Sequence, residues 1–169
     1  MIRLVKLKKM FLKLKVMSNS QIEDIKNSIS RYLSMREHSK SELFIKLSKK
    51  NFDKENILSC INEFSEKDLQ SDLRYAESFI RSKFNAHKGP NFITASLKAN
   101  GVDVKIIDDV LRNYSSEDWD AIAKNALEKK SINKSLEPSV CKTKQKLFLS
   151  NRGFSYKTIE KAIRDYWKC

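Results

Sequence analysis

Apolar positions recur at intervals of three and four along most of this chain. One stripe runs through Ile22, Ile25, Ile29, Tyr32 and Leu33, a second through Tyr75, Ala76, Phe79, Ile80 and Phe84, and a third through Trp119, Ile122, Ala123, Ala126 and Leu127. That spacing gathers side chains on one face of an α-helix and buries the face. A shorter stripe follows each: Leu43 and Leu47, then Ile93 and Leu97, then Leu147, Phe148 and Leu149. Ser39-Lys40-Ser41-Glu42 has the form of a capping box, and Pro90 suits a first helical turn. The third of these shorter helices is predicted to begin near Thr143, after a break at Pro138.

A repeat links the three regions. Leu47, Asn51, Phe52, Asp53, Ile57 and Ile61 become, 50 residues on, Leu97, Gly101, Val102, Asp103, Ile107 and Leu111. A further shift of 52 residues yields Leu149, Gly153, Phe154, Ser155, Ile159 and Ile163. Asn51, Gly101 and Gly153 tolerate the left-handed conformation that ends a helix. Asp53, Asp103 and Ser155 can accept hydrogen bonds from the amides that open the next one. Phe52, Val102 and Phe154 precede these caps and stand five residues before Ile57, Ile107 and Ile159, the spacing of a hydrophobic staple. Each copy therefore stops one helix and starts another within about three residues.

Only three Gly and two Pro occur in 169 residues, too few for the turns of a many-stranded sheet. The predicted fold is all-α: an elongated or bent tandem array of three three-helix repeats of about 50 residues. The expected divisions are a basic arm at 1–17 and repeats at 18–69, 70–115 and 116–169. A unit of that size is marginal alone, so neighbouring units should share apolar surface.

Charge is concentrated at the ends. Of a net +13, residues 1–17 carry +6 with no acid, residues 18–123 carry −1, and residues 124–169 carry +8 from twelve basic and four acidic groups. Such asymmetry favours an anionic partner. The arm repeats Leu4, Leu7, Phe11 and Leu14 as a basic amphipathic helix does, while Leu12, Leu14 and Val16 alternate with lysine as on a strand. Met10 or Met17 would serve equally as a start. Cys60, Cys141 and Cys169 are widely spaced and form no CxxC pair, which fits a reducing cytoplasm. No apolar run reaches membrane-spanning length, so no membrane partner is expected.

Little in the chain speaks for catalysis. His38 and His87 have no cysteine or carboxylate pattern around them, so they read as helix-end cations or exposed polar residues rather than metal ligands. The glycines are not clustered into a phosphate loop, no nucleophile pairs with a histidine, and Asp108 and Asp109 read as solvated surface. No cofactor is expected. The basic residues are the better candidates for partner or DNA contact. Lys40 stands in the first unit. Arg74, Arg81 and Lys88, seven apart, are predicted to share a helical face, with Lys83 beside them. Lys142, Lys144, Lys146, Arg152 and Lys157 belong to the third unit. Phosphates or an acidic protein surface would suit them. A stand-alone helix-turn-helix DNA reader fits less well, because the helices after Asp53 and Asp103 carry Glu55, Glu63, Asp108 and Asp109.

Taken in order, these residues resemble a known family. His38-Ser39-Lys40-Ser41-Glu42-Leu43 with Leu47 and Phe52 is similar to the first signature of the RecX regulators of bacterial RecA recombinase. Asp72-Leu73-Arg74-Tyr75-Ala76, Phe79, Arg81, Gly89-Pro90, Ile93, Leu97 and Gly101-Val102 resemble the central one, and Arg152-Gly153-Phe154 with Ile159 and Ile163 the last. The resemblance spans residues 20–167. It implies a non-enzymatic protein of tandem three-helix repeats, and a monomer is expected. Such a protein binds in the groove of the RecA filament on single-stranded DNA and hinders filament extension, ATP hydrolysis, strand exchange and the co-protease activity behind the SOS response. The basic arm and a lysine-rich insertion around 131–142 depart from the family pattern.

Overall fold

The computed structural model describes residues 20–130 and 137–168, and every regular element among them is a helix. The basic arm and the first part of the 131–142 insertion lie outside the described residues. Helix α1 runs through 20–35. It is followed by α2 (Lys40–Ser48), α3 (Lys54–Glu66), α4 (Asp72–Asn85), α5 (Pro90–Ala99), α6 (Val104–Leu111), α7 (Ser116–Glu128), α8 (Pro138–Asn151) and α9 (Tyr156–Tyr166). The chain divides between Asp72 and Leu73 into two compact units.

The recurring stop and restart has the predicted backbone. Asn51, Gly101 and Gly153 take φ of 57°, 74° and 85°. After α5, the Val102 amide donates to the Leu97 carbonyl (3.1 Å) and the Gly101 amide to Lys98 (3.0 Å). After α8, Phe154 donates to Leu149 (3.2 Å) and Gly153 to Ser150 (2.9 Å). Both pairs satisfy carbonyls that the helix end leaves bare, as in a Schellman motif. The next helix opens on a side-chain cap each time: Asp53 accepts from the Asn56 amide, Asp103 from Lys105 and Ser155 from Thr158. Each such cap stabilises its helix by ~1 kcal/mol. Ile57 and Ile107 are fully buried and Ile159 nearly so, with the staple partners Val102 and Phe154 also buried.

In the first unit, Ile25 and Ile29 of α1, Leu43 and Leu47 of α2, and Ile57, Cys60, Ile61 and Phe64 of α3 form one core. Ser39 caps α2 by accepting from the Glu42 amide, while the Glu42 carboxylate takes two bonds from Arg36 (3.0 and 3.2 Å). In the second unit, α4 to α9 share one core, from Tyr75 and Ile80 through Ile93, Leu97 and Trp119 to Leu149 and Ile163. Two helix triplets thus bury their stripes together, which answers the marginal stability of one triplet. Trp119 sits in an aromatic group with Phe84 and Tyr114 at centroid distances of 5.3 and 5.4 Å.

Three details differ from expectation. Helix α8 starts at Pro138 rather than near Thr143, because a proline at the first helical position loses no hydrogen bond and opens the helix instead of breaking it. Lys88 does not share a face with Arg74 and Arg81. Helix α4 ends at Asn85, and His87 turns the chain away in the left-handed region (φ 56°). His38 is 2% exposed, not a surface or helix-end cation. Its Nε2 meets the Lys46 ammonium at 2.8 Å and its Nδ1 the Arg36 carbonyl at 2.9 Å. An ammonium has only donors, so Nε2 accepts, Nδ1 carries the proton, and the ring is neutral.

A candidate anion-binding surface on helix eight

Helix α8 distributes its basic residues over different faces. Cys141, Gln145 and Leu149 are buried and anchor the helix. Lys144, Phe148 and Arg152, spaced by four, run along one flank, and Lys142 and Lys146 along another. The first flank meets the turn between α4 and α5. There Arg152 Nη1 donates to the carbonyls of Ala86 (2.8 Å) and His87 (3.1 Å), two groups at the open end of α4.

Around this contact the cations gather on aromatic rings. The Arg152 guanidinium carbon lies 4.6 Å from the Phe148 ring centroid, and the Lys130 ammonium 4.2 Å from the same centroid. Lys88 sits over Phe92 at 4.4 Å. The Lys130 ammonium also reaches the Lys144 carbonyl, at 3.5 Å. Burial pushes the Lys130 amine below its usual range, and the charges of Lys144 and Arg152 push it further the same way. Burial lowers His87 as well, with Lys129 and Arg152 adding to the effect. The neighbours acting on both groups are cations. Rings hold the stems while the charges remain mutually repelled, an arrangement that an approaching anion relieves.

The sequence candidates therefore separate. Lys88, Lys144 and Arg152 belong to one cluster, joined by Lys129 and Lys130, which sequence reasoning missed because only tertiary packing brings the end of α7 onto α8. Lys83 lies over Phe79 at 5.1 Å on α4. Arg74 and Arg81 are also on α4, half-buried and exposed. Lys146 is paired with Glu160 at 2.6 Å, and Lys142 stands over Trp167 at 5.2 Å. Lys157 is exposed on α9. Lys40, in the first unit, opens α2, and its amide donates to Asp72 Oδ1 at 3.0 Å. Among the described residues no group of three or more His, Cys, Asp or Glu is placed to hold a metal ion, and no helix is long and apolar enough to cross a membrane.

Fold and surface together define a helical repeat protein with a cluster of cations on its second unit. Residues 71–111, which contain α4 to α6, match the family model described as RecX, second three-helix domain. The chain is 31% identical over 138 residues to the regulatory protein RecX of Chromohalobacter salexigens, covering 82% of this chain and 90% of that one. It is 38% identical over 135 residues to the regulatory protein RecX of Neisseria gonorrhoeae, covering 80% and 86%. The crystal structure of RecX from Lactobacillus salivarius superposes with a TM-score of 0.77 at 28% identity, over 89% of this chain and 99% of that one. This chain belongs to the RecX family of regulatory proteins.

Proposed function

We propose that the chain is a non-enzymatic, monomeric, cytoplasmic regulator that binds the RecA filament on single-stranded DNA and hinders its extension, ATP hydrolysis, strand exchange and co-protease activity. Family membership supports the regulatory role. The observation that carries the mode of action is the gathering of Lys130 and Arg152 on Phe148, with the Lys144 charge acting on Lys130 and Lys88 over Phe92 in the adjoining turn. A filament offers carboxylates on its protein and phosphates on its strand, and either would bring the balancing charge.

Adding the purified chain to RecA, ATP and single-stranded DNA tests this. DNA-dependent ATP hydrolysis and strand exchange should fall as the protein is added, and unchanged rates at saturating protein would refute it. The alternative of a stand-alone duplex reader gains nothing from the fold. On α3, Glu63 pairs with Lys26 and Lys67, and on α6, Asp109 pairs with Arg112, so the polar faces of both helices carry acids that would repel a phosphate backbone.

A further inference from the structure

The second basic flank of α8 forms one wall of a separate groove, closed on the other side by α9. The cavity measures about 480 Å³, within the range of small-ligand sites, and four cations line it against one carboxylate: Lys142, Lys146, Arg164 and Lys168 against Glu160. Lys146 and Glu160 neutralise each other at 2.6 Å, and Arg164 Nε makes a long contact of 3.9 Å with Asp165, so a net positive charge rests on Lys142, Arg164 and Lys168. Trp167 lies among them. Its indole Nε1 donates to Oε1 of the buried Gln145 at 2.8 Å, fixing the ring plane. The Lys142 ammonium covers one part of the ring from 5.2 Å.

We propose that this groove is a subsite for single-stranded nucleic acid, holding about one nucleotide with its base on Trp167 and its phosphate among Lys142, Arg164 and Lys168. A flat ring held rigid beside ammonium and guanidinium groups is the combination that single strands use, since every base has a stacking face and every linkage a charge. An acidic peptide would use the cations but has no need of the indole. A phosphate draws Lys142 off the ring and so uncovers the surface on which the base stacks. The subsite deepens the filament reading by providing direct contact with the strand, and it acts without RecA, so the two can be judged apart.

The test uses the full chain carrying Trp119→Phe, in which Trp167 is the sole tryptophan. Titration with a twelve-residue oligothymidylate at low salt should quench Trp167 emission saturably. The logarithm of affinity should fall against the logarithm of salt with a slope of about −0.7, from the one phosphate neutralised in the groove. Lys142→Ala with Arg164→Ala should weaken binding about tenfold or more while the circular-dichroism melt stays in place. Unaltered emission at saturating oligonucleotide, or full affinity in the double variant, overturns the subsite. So does poly-glutamate of equal length if it quenches Trp167 as well as the oligonucleotide does. Inhibition of RecA ATP hydrolysis is read in parallel. Its loss with quenching intact refutes the filament reading alone, and its presence without quenching refutes the groove alone.

Discussion

The Gly89 amide donates to the Arg152 carbonyl at 2.7 Å, and Gly89 lies so near Gly153 that neither position has space for a methyl group. A Cβ on Gly89 would overlap the Gly153 carbonyl, and a Cβ on Gly153 would overlap the Phe92 backbone. The Asn91 amide adds a bond to the Gly153 carbonyl at 3.0 Å. Two turns 64 residues apart in sequence are thus held backbone to backbone, and the same contact sets Arg152 against the end of α4.

Substitution here should lower stability. Gly89→Ala is expected to cost ~1–3 kcal/mol through overlap alone, because the opposing atoms are main chain and cannot rotate aside. Gly153→Ala should cost more, since it also forces an alanine to φ 85°. Melting followed by circular dichroism should show Gly89→Ala about 3–10 °C below the parent, with Gly153→Ala lower still. Equal melting temperatures for all three would show that the two turns do not touch in solution.

His87 offers the opposite case. It holds φ 56° at the end of α4, where the Lys88 amide donates to the Lys83 carbonyl and the His87 amide to Phe84, both at 2.9 Å. This is the helix stop that glycine makes without strain. His87→Gly should keep both bonds and remove the left-handed penalty of ~1 kcal/mol, less some loss from the greater freedom of the unfolded chain. A rise of a few degrees in melting temperature is expected, and a fall would mean that the imidazole contributes packing that outweighs its backbone strain.

Much of this fold can be read along the chain because it rests on local chemistry. The caps at Asp53, Asp103 and Ser155 and the turns at Asn51, Gly101 and Gly153 depend on residue type within a few positions, so they survive in the one-dimensional record. What could not be read depends on an unusual backbone conformation or on partners that only tertiary packing brings close. Lys88 leaves the face of Arg74 because a histidine takes a conformation more typical of glycine. Lys129 and Lys130 join Arg152 only when α7 docks on α8. His38 looks like a surface residue until its neighbours appear: Tyr32 at 5.8 Å between ring centroids, the Lys46 ammonium, and Gln70, whose amide donates to the His38 carbonyl at 3.0 Å. The Ser115–Asp118 capping box at the start of α7 is equally local, since it stands directly before the stripe that begins at Trp119.

Arg152 has both a structural and an electrostatic role, and two substitutions separate them. Arg152→Lys keeps the charge but cannot span the Ala86 and His87 carbonyls with one planar group, so it should lose ~1–3 kcal/mol of stability. Lys130→Gln with Lys144→Gln removes charge without touching those carbonyls, and it relieves repulsion between the cations. That pair should melt at or slightly above the parent temperature and yet inhibit RecA-driven ATP hydrolysis less, with the difference narrowing at high salt. Undiminished inhibition by the double variant would remove this cluster from the filament contact.

The neutral, buried His38 makes stability depend on pH. Burial is the main cause that lowers its pKa, and the nearby charges of Arg36 and Lys46 act the same way, while the Arg36 carbonyl and Glu42 oppose them. The folded state therefore binds this proton less readily than the unfolded chain, whose histidine titrates near 6.5. Stability from this site is complete above that value and declines as pH falls through it, because protonation would set an imidazolium against the Lys46 ammonium now 2.8 Å away. His87 is shifted in the same direction, so it adds to the slope. Urea midpoints measured from pH 8 to pH 5 should fall as the solution is acidified, and His38→Gln should flatten that fall even if it lowers the midpoint at pH 8. A variant whose profile runs parallel to the parent would show that His38 already shares its proton equally between folded and unfolded chains, and the Lys46 hydrogen bond would then have to be given up.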